Sequence, residues 1–143
     1  MQHCKMKHRN PFDDTICSIL TSYSRIAIVG LSSKPWRDSN RVGSYLLEQG
    51  YEIFPVNPEI SDTLGLKAYP DLSSVPRPVE VVDIFRRIQH IPEIVELAIE
   101  AGAKAIWMQN GLSDEASAER SRQAGLQVVM NRCMMFEHTM HFL

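Results

Sequence analysis

The sequence predicts an α/β domain of the doubly wound kind, a parallel sheet of about five strands with helices on both faces, and three observations carry that expectation. Five short apolar runs rich in β-branched residues recur along the chain. Amphipathic segments at helical spacing stand between most of them, and the first run passes through a glycine and two hydroxyl residues into a helix. Runs that are apolar throughout, rather than alternating, describe strands covered on both sides, as in parallel sheets.

Pro11, followed by Asp13 and Asp14 and by Ile16, Ile19 and Leu20, predicts a short amphipathic helix packed on the domain ahead of the first strand, Arg25–Val29. The next helix is expected to begin at Asp38 or Ser39, both good N-cap residues, to carry Val42, Tyr45 and Leu46 on one face, and to stop at Gly50. Residues 51–56 read as a second buried strand that ends on the turn signal Asn57-Pro58. Residues 59–78 are the least regular, with Gly65, Pro70, Pro76 and Pro78; they predict a long connection with a short strand or turn at 67–69 and one helical turn near 71–75.

Residues 80–85 form the third predicted strand and run directly into Arg86 and Arg87. Pro92 suits the first turn of a helix over 91–101, whose stripe Ile94, Val95, Ala98 and Ile99 ends before Gly102. Residues 104–108 are the fourth strand; Ser113 is expected to cap a helix with Asp114 and Glu115 in its first turn and Gly125 at its close. Residues 126–130 are the fifth strand, and 131–143 read as a loop and a short helix. Strands alternating with helices through right-handed crossovers make a Rossmann-like domain. The expected organisation is one unit over 1–143, with a polar tail and helix over 1–24 and the core over 25–143.

A chain of 143 residues, 44% hydrophobic, can bury one core without metal or disulfide support. Lys and Arg number 15 against 17 Asp and Glu, a net charge of −2, which gives no general attraction to nucleic acid or to a membrane surface. Cys4, Cys17 and Cys133 are an odd, widely spaced set that does not describe a disulfide framework, so a reducing cytoplasm is the expected setting. The polar, basic start of the chain and the lack of any long apolar segment predict a soluble protein. His3, Cys4 and His8 are metal-capable types on a tail without rigid geometry or a fourth ligand, and no metal site is expected. Cys17, among Ile16, Ile19 and Leu20, reads as a small core filler.

Open parallel sheets bind ligands outside the carboxyl ends of their strands, where the strand order reverses. In this chain those ends are Gly30 to Arg37, Asn57-Pro58, Arg86-Arg87, Gln109-Asn110-Gly111 and Asn131-Arg132-Cys133. Gly, Asn and Pro are ordinary turn residues, but Lys34, Arg37, Arg86, Arg87 and Arg132 collected at one rim, with Arg41 a turn further along, point to an anionic ligand. A helix beginning just after Gly30, Ser32 and Ser33 adds free amides and a positive dipole end, which suits phosphate.

Two ordinary nucleotide sites are disfavoured. No Gly-x-Gly-x-x-Gly follows the first strand and no carboxylate ends the second, as a dinucleotide site requires, and no Gly-Lys-Ser or Gly-Lys-Thr marks a phosphate loop.

Several separated pieces resemble the small CoA-binding proteins, stand-alone versions of the CoA-binding domain at the N-terminus of the succinyl-CoA synthetase α subunit. They are Val29-Gly-Leu-Ser-Ser-Lys-Pro-Trp-Arg-Asp-Ser39, Tyr45-Leu-Leu-Glu-Gln-Gly-Tyr51, Pro55-Val-Asn-Pro58, Val82-Asp-Ile-Phe-Arg-Arg87, Gly102-Ala-Lys-Ala-Ile-Trp-Met-Gln109 and Met130-Asn-Arg-Cys133. Each is weak alone; their order and spacing are specific. The resemblance implies the same fold and a ligand that is coenzyme A or an acyl-CoA, whose three phosphate groups match the excess of cations.

It further implies that Gly30, Ser32, Ser33, Lys34 and Arg37 approach the phosphates, that Asn57 and Pro58 border the adenosine end, that Phe85 and Arg86 flank the nucleotide or the start of the pantetheine arm, and that Gln109 and Asn131 lie along that arm. Relatives commonly read Asp-Arg-Cys-Pro where this chain has Asn131-Arg132-Cys133-Met134, which removes an acid and relaxes the backbone of that loop. The second synthetase domain, with its phosphorylated histidine, has no counterpart here, so ligase activity by this chain alone is not expected.

Cys133 beside Arg132 is a candidate thiol for a mixed disulfide with the CoA sulfur, although an inert, half-buried cysteine is the plainer reading. Glu137, His138 and His141 carry acid/base or metal-capable groups on what reads as a surface helix, and Met134, Met135, Phe136, Met140 and Phe142 beside them make a core edge or a candidate dimer contact. Three function classes follow: a CoA-binding module without turnover, which is favoured; an enzyme or redox sensor acting on the CoA thiol or thioester through Cys133 or a partner enzyme; and an interaction protein with a vestigial pocket.

Overall fold

The computed structural model describes Cys4 and residues 10–143. Five strands form one parallel sheet: β1 (Arg25–Val29), β2 (Glu52–Val56), β5 (Val81–Ile84), β6 (Ala105–Met108) and β7 (Gln127–Val129), in the order β2-β1-β5-β6-β7. The chain moves outward from β1 to β2, then crosses back to β5 on the other side of β1. The order therefore reverses between β1 and β5, and the carboxyl ends of these two strands bound the crevice where ligands bind in such sheets.

Both faces of the sheet are covered. Ala27, Val29, Val82, Ile84, Ile106 and Met108 pack with Ile91, Ile94, Val95 and Ala98 of α3 (Ile91–Glu100) on one side, where α4 (Glu115–Gln123) lies against α3 and β7. Ile26, Ile28, Val81, Trp107 and Val129 face α1 (Pro11–Ser22), α2 (Asp38–Glu48) and α5 (Met134–Phe142) on the other. The irregular stretch holds a small antiparallel hairpin, β3 (Asp62–Thr63) with β4 (Leu66–Lys67), and a single 3-10 turn at Leu72–Ser74 capped by the Asp71 carboxylate. Tyr69 bridges in parallel to Val56 and so ties this excursion to the outer edge of β2.

Four sequence-based expectations are corrected. The helix after β1 has Arg37 at its N-cap, with Asp38 and Ser39 already helical; Ser39 Oγ accepts from the Ser32 amide (3.0 Å) and so braces the preceding loop instead of capping the helix. Asp114, not Ser113, occupies the N-cap of α4, and the Ser113 hydroxyl donates to Met130 Sδ. The terminal helix is more than a surface element: one face, Met134, Glu137, His138 and Phe142, is buried, with the His138 ring stacked on Phe142 and within 2.7 Å of the Tyr45 hydroxyl through Nδ1, while Phe136 and Met140 stay exposed. Cys17 is buried as expected, but it is joined in a disulfide to Cys4, with Cα atoms 5.8 Å apart, so Cys133 is the free cysteine. A stretch of sequence without periodicity carries no signal of a distant partner for Cys4, which is why this pairing could not be read from spacing. The expected metal-capable types His3 and His8 lie outside the described residues. Cys4 and Cys17 come within 4.8 Å of a His141 ring nitrogen, but their sulfurs are bonded to each other.

Candidate functional site

The site begins at the first strand end. Gly30 has φ +93°, in the left-handed region, and its amide donates to Val56 O (2.8 Å). A Cβ there would stand 2.9 Å from the carbonyl oxygen of Phe85, so only glycine lets the ends of β1 and β5 come together. The loop beyond it is held by its own polar groups. Ser32 Oγ accepts from the Lys34 amide (3.1 Å), and Asn40 Nδ2 donates to Ser32 O (2.8 Å) and to Thr63 Oγ1 (3.2 Å). No side chain caps α2, so its first amides stay open beside Lys34 and Arg37. An uncapped helix start with two cations next to it attracts an anion.

Three recesses meet around this point. One, of about 400 Å³, is lined by Gly30, Ser32, Lys34, Arg37, Asp38, Ser39 and Phe85. A second, of about 190 Å³, shares Gly30 and is bounded by Pro58, Asp71, Arg86 and His90 on the β2 side. The third, of about 540 Å³, shares Phe85, Asp38 and Arg86 with the other two and runs toward β6 between Val42, Gln109, Leu112, Cys133 and Met135, with Arg41 and Arg87 at its rim. Together they make one groove along the carboxyl edge of the sheet, polar and cationic at its centre and apolar toward Gln109. Asp38, Asp71 and Glu93 are the acids along it, and the Asp38 carboxylate is paired with Arg41.

The expected residues divide accordingly. Gly30, Ser32, Lys34, Arg37, Pro58, Phe85, Arg86, Gln109 and Cys133 line the groove. Ser33 is exposed on the same loop. Asn57 stands behind the groove, with Nδ2 donating to Leu31 O (3.1 Å) and Oδ1 accepting from the Glu59 amide (2.9 Å). Asn131 lies elsewhere: it has φ +57°, its Oδ1 accepts from the Gly111 amide (2.7 Å), and it lines a separate recess with Arg132 and Phe12. Arg132 accordingly leaves the expected cationic rim; its guanidinium lies over the Phe12 ring at 4.8 Å and within 3.4 Å of Glu137 Oε1. Nothing in the loop sequence tells which way an arginine on a strand end turns.

Two carboxyl groups next to the groove have opposite characters. Hydrogen bonds from Ser74 and Ser73 hold Asp71 below the ordinary carboxylate range, so it is a fixed negative charge at the β2 end. Asp83, in the middle of β5, is fully buried; burial pushes its carboxyl up to about 8, against the hydrogen bond that Gln109 Nε2 donates to its Oδ1 (2.7 Å). Sequence reasoning passed over Asp83. A lone acid inside an otherwise hydrocarbon strand was the signal that could have found it.

The fold and much of the sequence are shared with known proteins. The Bacillus subtilis (strain 168) protein YneT is 38% identical over 130 residues, which span 91% of this chain and 96% of that protein. A solved structure, the hypothetical protein from Pyrococcus horikoshii OT3, is 44% identical with a TM-score of 0.86 and covers 94% of this chain and 97% of its own. The ADP-forming acetate–CoA ligase II of Archaeoglobus fulgidus is 28% identical over 112 residues, 75% of this chain but only 17% of that much longer protein. The glycine turn, the open start of α2 and the edge beside β5 all fall within residues 24–139, which match the family profile described as CoA binding domain, and the chain belongs to that family.

Proposed function

We propose that this protein binds coenzyme A or an acyl-CoA in the groove along the carboxyl edge of the sheet, without turning it over. The observation that carries the reading is the meeting of three recesses at Gly30, Phe85 and Arg86, with Lys34, Arg37, Arg41 and Arg87 around them. CoA has three parts of matching character. Its pyrophosphate suits the open start of α2 beside Ser32, Ser33, Lys34 and Arg37. Its adenosine suits the β2-side recess bordered by Pro58, with Asn57 bracing that border, and its pantetheine arm suits the more apolar recess between Phe85 and Gln109. Asn131 enters this reading as a brace of the β6 and β7 loops.

The arm recess supports binding without turnover. Cys133 is the nucleophilic side chain there, and among the described residues no base is hydrogen-bonded to it, as an activated thiol would require. Titration calorimetry with CoA, dephospho-CoA and NAD tests the proposal. CoA should bind, dephospho-CoA should bind more weakly because the cations lose the 3′-phosphate, and NAD should not compete. No heat from CoA would favour an interaction protein with a vestigial pocket.

A second reading is favoured by one observation, the position of Cys133 in the same recess as the proposed arm. Attack of its thiolate on the disulfide of oxidised CoA would form a protein–CoA disulfide and release one CoA thiolate. An intact-mass adduct that maps to Cys133 would support this thiol-exchange role, and its absence dismisses it.

A further inference from the structure

Beneath Gln109 the sheet carries a carboxyl where its neighbours carry hydrocarbon. Asp83 is in register with Ile28 on β1 and Trp107 on β6 and is fully buried. Its Oδ1 accepts from Gln109 Nε2, while Oδ2 is the one sealed side-chain oxygen or nitrogen without a partner among the described residues. An acid left half-satisfied in the centre of a sheet lowers stability, and a valine in that place would cost nothing of the kind. Packing therefore gives no reason for it.

Gln109 supplies a reason. Its amide has a donor end and an acceptor end, and Asp83 takes the donor end. The acceptor Oε1 makes no hydrogen bond among the described residues and is not among the sealed atoms, and Gln109 lines the arm recess. We infer that Asp83 is a positioning residue for the ligand: it holds the Gln109 amide by its N–H end, so that the recess presents a carbonyl oxygen, an acceptor for an amide N–H of a pantetheine-type arm. This rests on the CoA reading above and adds to it a selection for an amide-bearing chain over a plain hydrocarbon one. Without Asp83 the amide is free to turn and present either end, and the recess loses that preference.

The test compares two probes by calorimetry, CoA and 3′-phosphoadenosine 5′-diphosphate, which is the same nucleotide without the arm. Asp83→Val and Gln109→Leu should each weaken CoA about five- to twentyfold and leave the nucleotide within about twofold, and the double variant should lose no more than either single one. Asp83→Val should also melt higher than wild type, which a merely structural residue would not do. Asp83→Asn keeps an oxygen that accepts from Gln109 and should recover most of the CoA affinity. Equal effects on both probes, or an unchanged ratio, overturn the inference; if Asp83→Val does not fold, Gln109→Leu alone decides by the same ratio. Wild-type protein that takes neither probe would overturn the CoA reading itself, whereas wild type that binds CoA while the ratio stays put overturns only the role of Asp83.

Discussion

Gly30 and Phe85 face each other across the switch between β1 and β5 so closely that a Cβ on residue 30 would stand 2.9 Å from the Phe85 carbonyl oxygen. This contact lets the loop after β1 and the Phe85-Arg86 turn share one groove. Gly30→Ala should therefore lose stability twice over, about 1–2 kcal/mol for an alanine at positive φ and about 1–3 kcal/mol for crowding against backbone that cannot yield. Gly125→Ala is the control, since Gly125 has φ +90° but open space around it. Urea denaturation should show the larger loss at Gly30, and equal losses would mean that the close approach is not a constraint.

Lys34 and Arg37 are exposed and make no ion pair among the described residues. Arg37 is the N-cap of α2 without capping it through its side chain. Alanine at either position should leave the melting temperature nearly unchanged and weaken CoA by about 1–3 kcal/mol, the usual worth of a hydrogen bond to a charged group. Lys67→Ala, on the hairpin, serves as the control for net charge. A neutral result at both Lys34 and Arg37 would place the anion site elsewhere.

The buried carboxyl of Asp83 fixes the sign of a pH effect. Its pKa is raised to about 8 in the fold, above the ordinary carboxylate value, so between about pH 4 and pH 8 the folded state binds more protons than the unfolded chain. Its contribution is most favourable below pH 4, declines as pH rises to about 8, and is level beyond that. Asp83→Asn removes this slope, so the gain in melting temperature over wild type should grow from pH 5 to pH 8. A gain independent of pH would show that Asp83 is ionised in the fold.

Arg25 ties the start of β1 to the irregular segment that precedes β5. Its Nε donates to Pro78 O (2.6 Å), its other nitrogens reach Pro76 O (3.0 Å) and Glu52 Oε1 (2.8 Å), and the guanidinium lies 4.6 Å from the Phe54 ring centre. Arg25→Ala should cost about 1–2 kcal/mol, because two carbonyls at the surface lose a charged donor. Arg25→Lys should recover only part of this, since a point charge cannot bridge three acceptors and stack as well. Chemical denaturation of the three proteins measures both statements.

Much of the architecture was legible because it rests on short-range pattern. The run Ile26-Ala27-Ile28-Val29, short, β-branched and closed by Gly30, reads as a strand covered on both faces, and α3 follows from Pro92 with the stripe Ile94, Val95 and Ala98. The cap at Ser39 was misplaced because a serine oxygen can satisfy either its own helix or a neighbouring loop amide, and here the Ser32 amide wins. The pairing of Cys4 with Cys17 was missed for a related reason. A polar segment of ten residues has no period from which a long-range partner such as Cys17 could be inferred.

The order of strands and helices, the glycine at the first turn and the gathering of cations near the strand ends were determined by the sequence itself, because backbone propensity and hydrophobic period act over a few residues at a time. Which cations share the groove, the turning of Arg132 and Asn131 to another recess, and the meeting of Asp83 with Gln109 were decided only by the tertiary structure. Those outcomes depend on strand register and on side-chain directions across elements far apart in the chain. Asp83 and Gln109 are 26 residues apart, and they touch only because β5 and β6 pair in one register that puts both on the same face of the sheet.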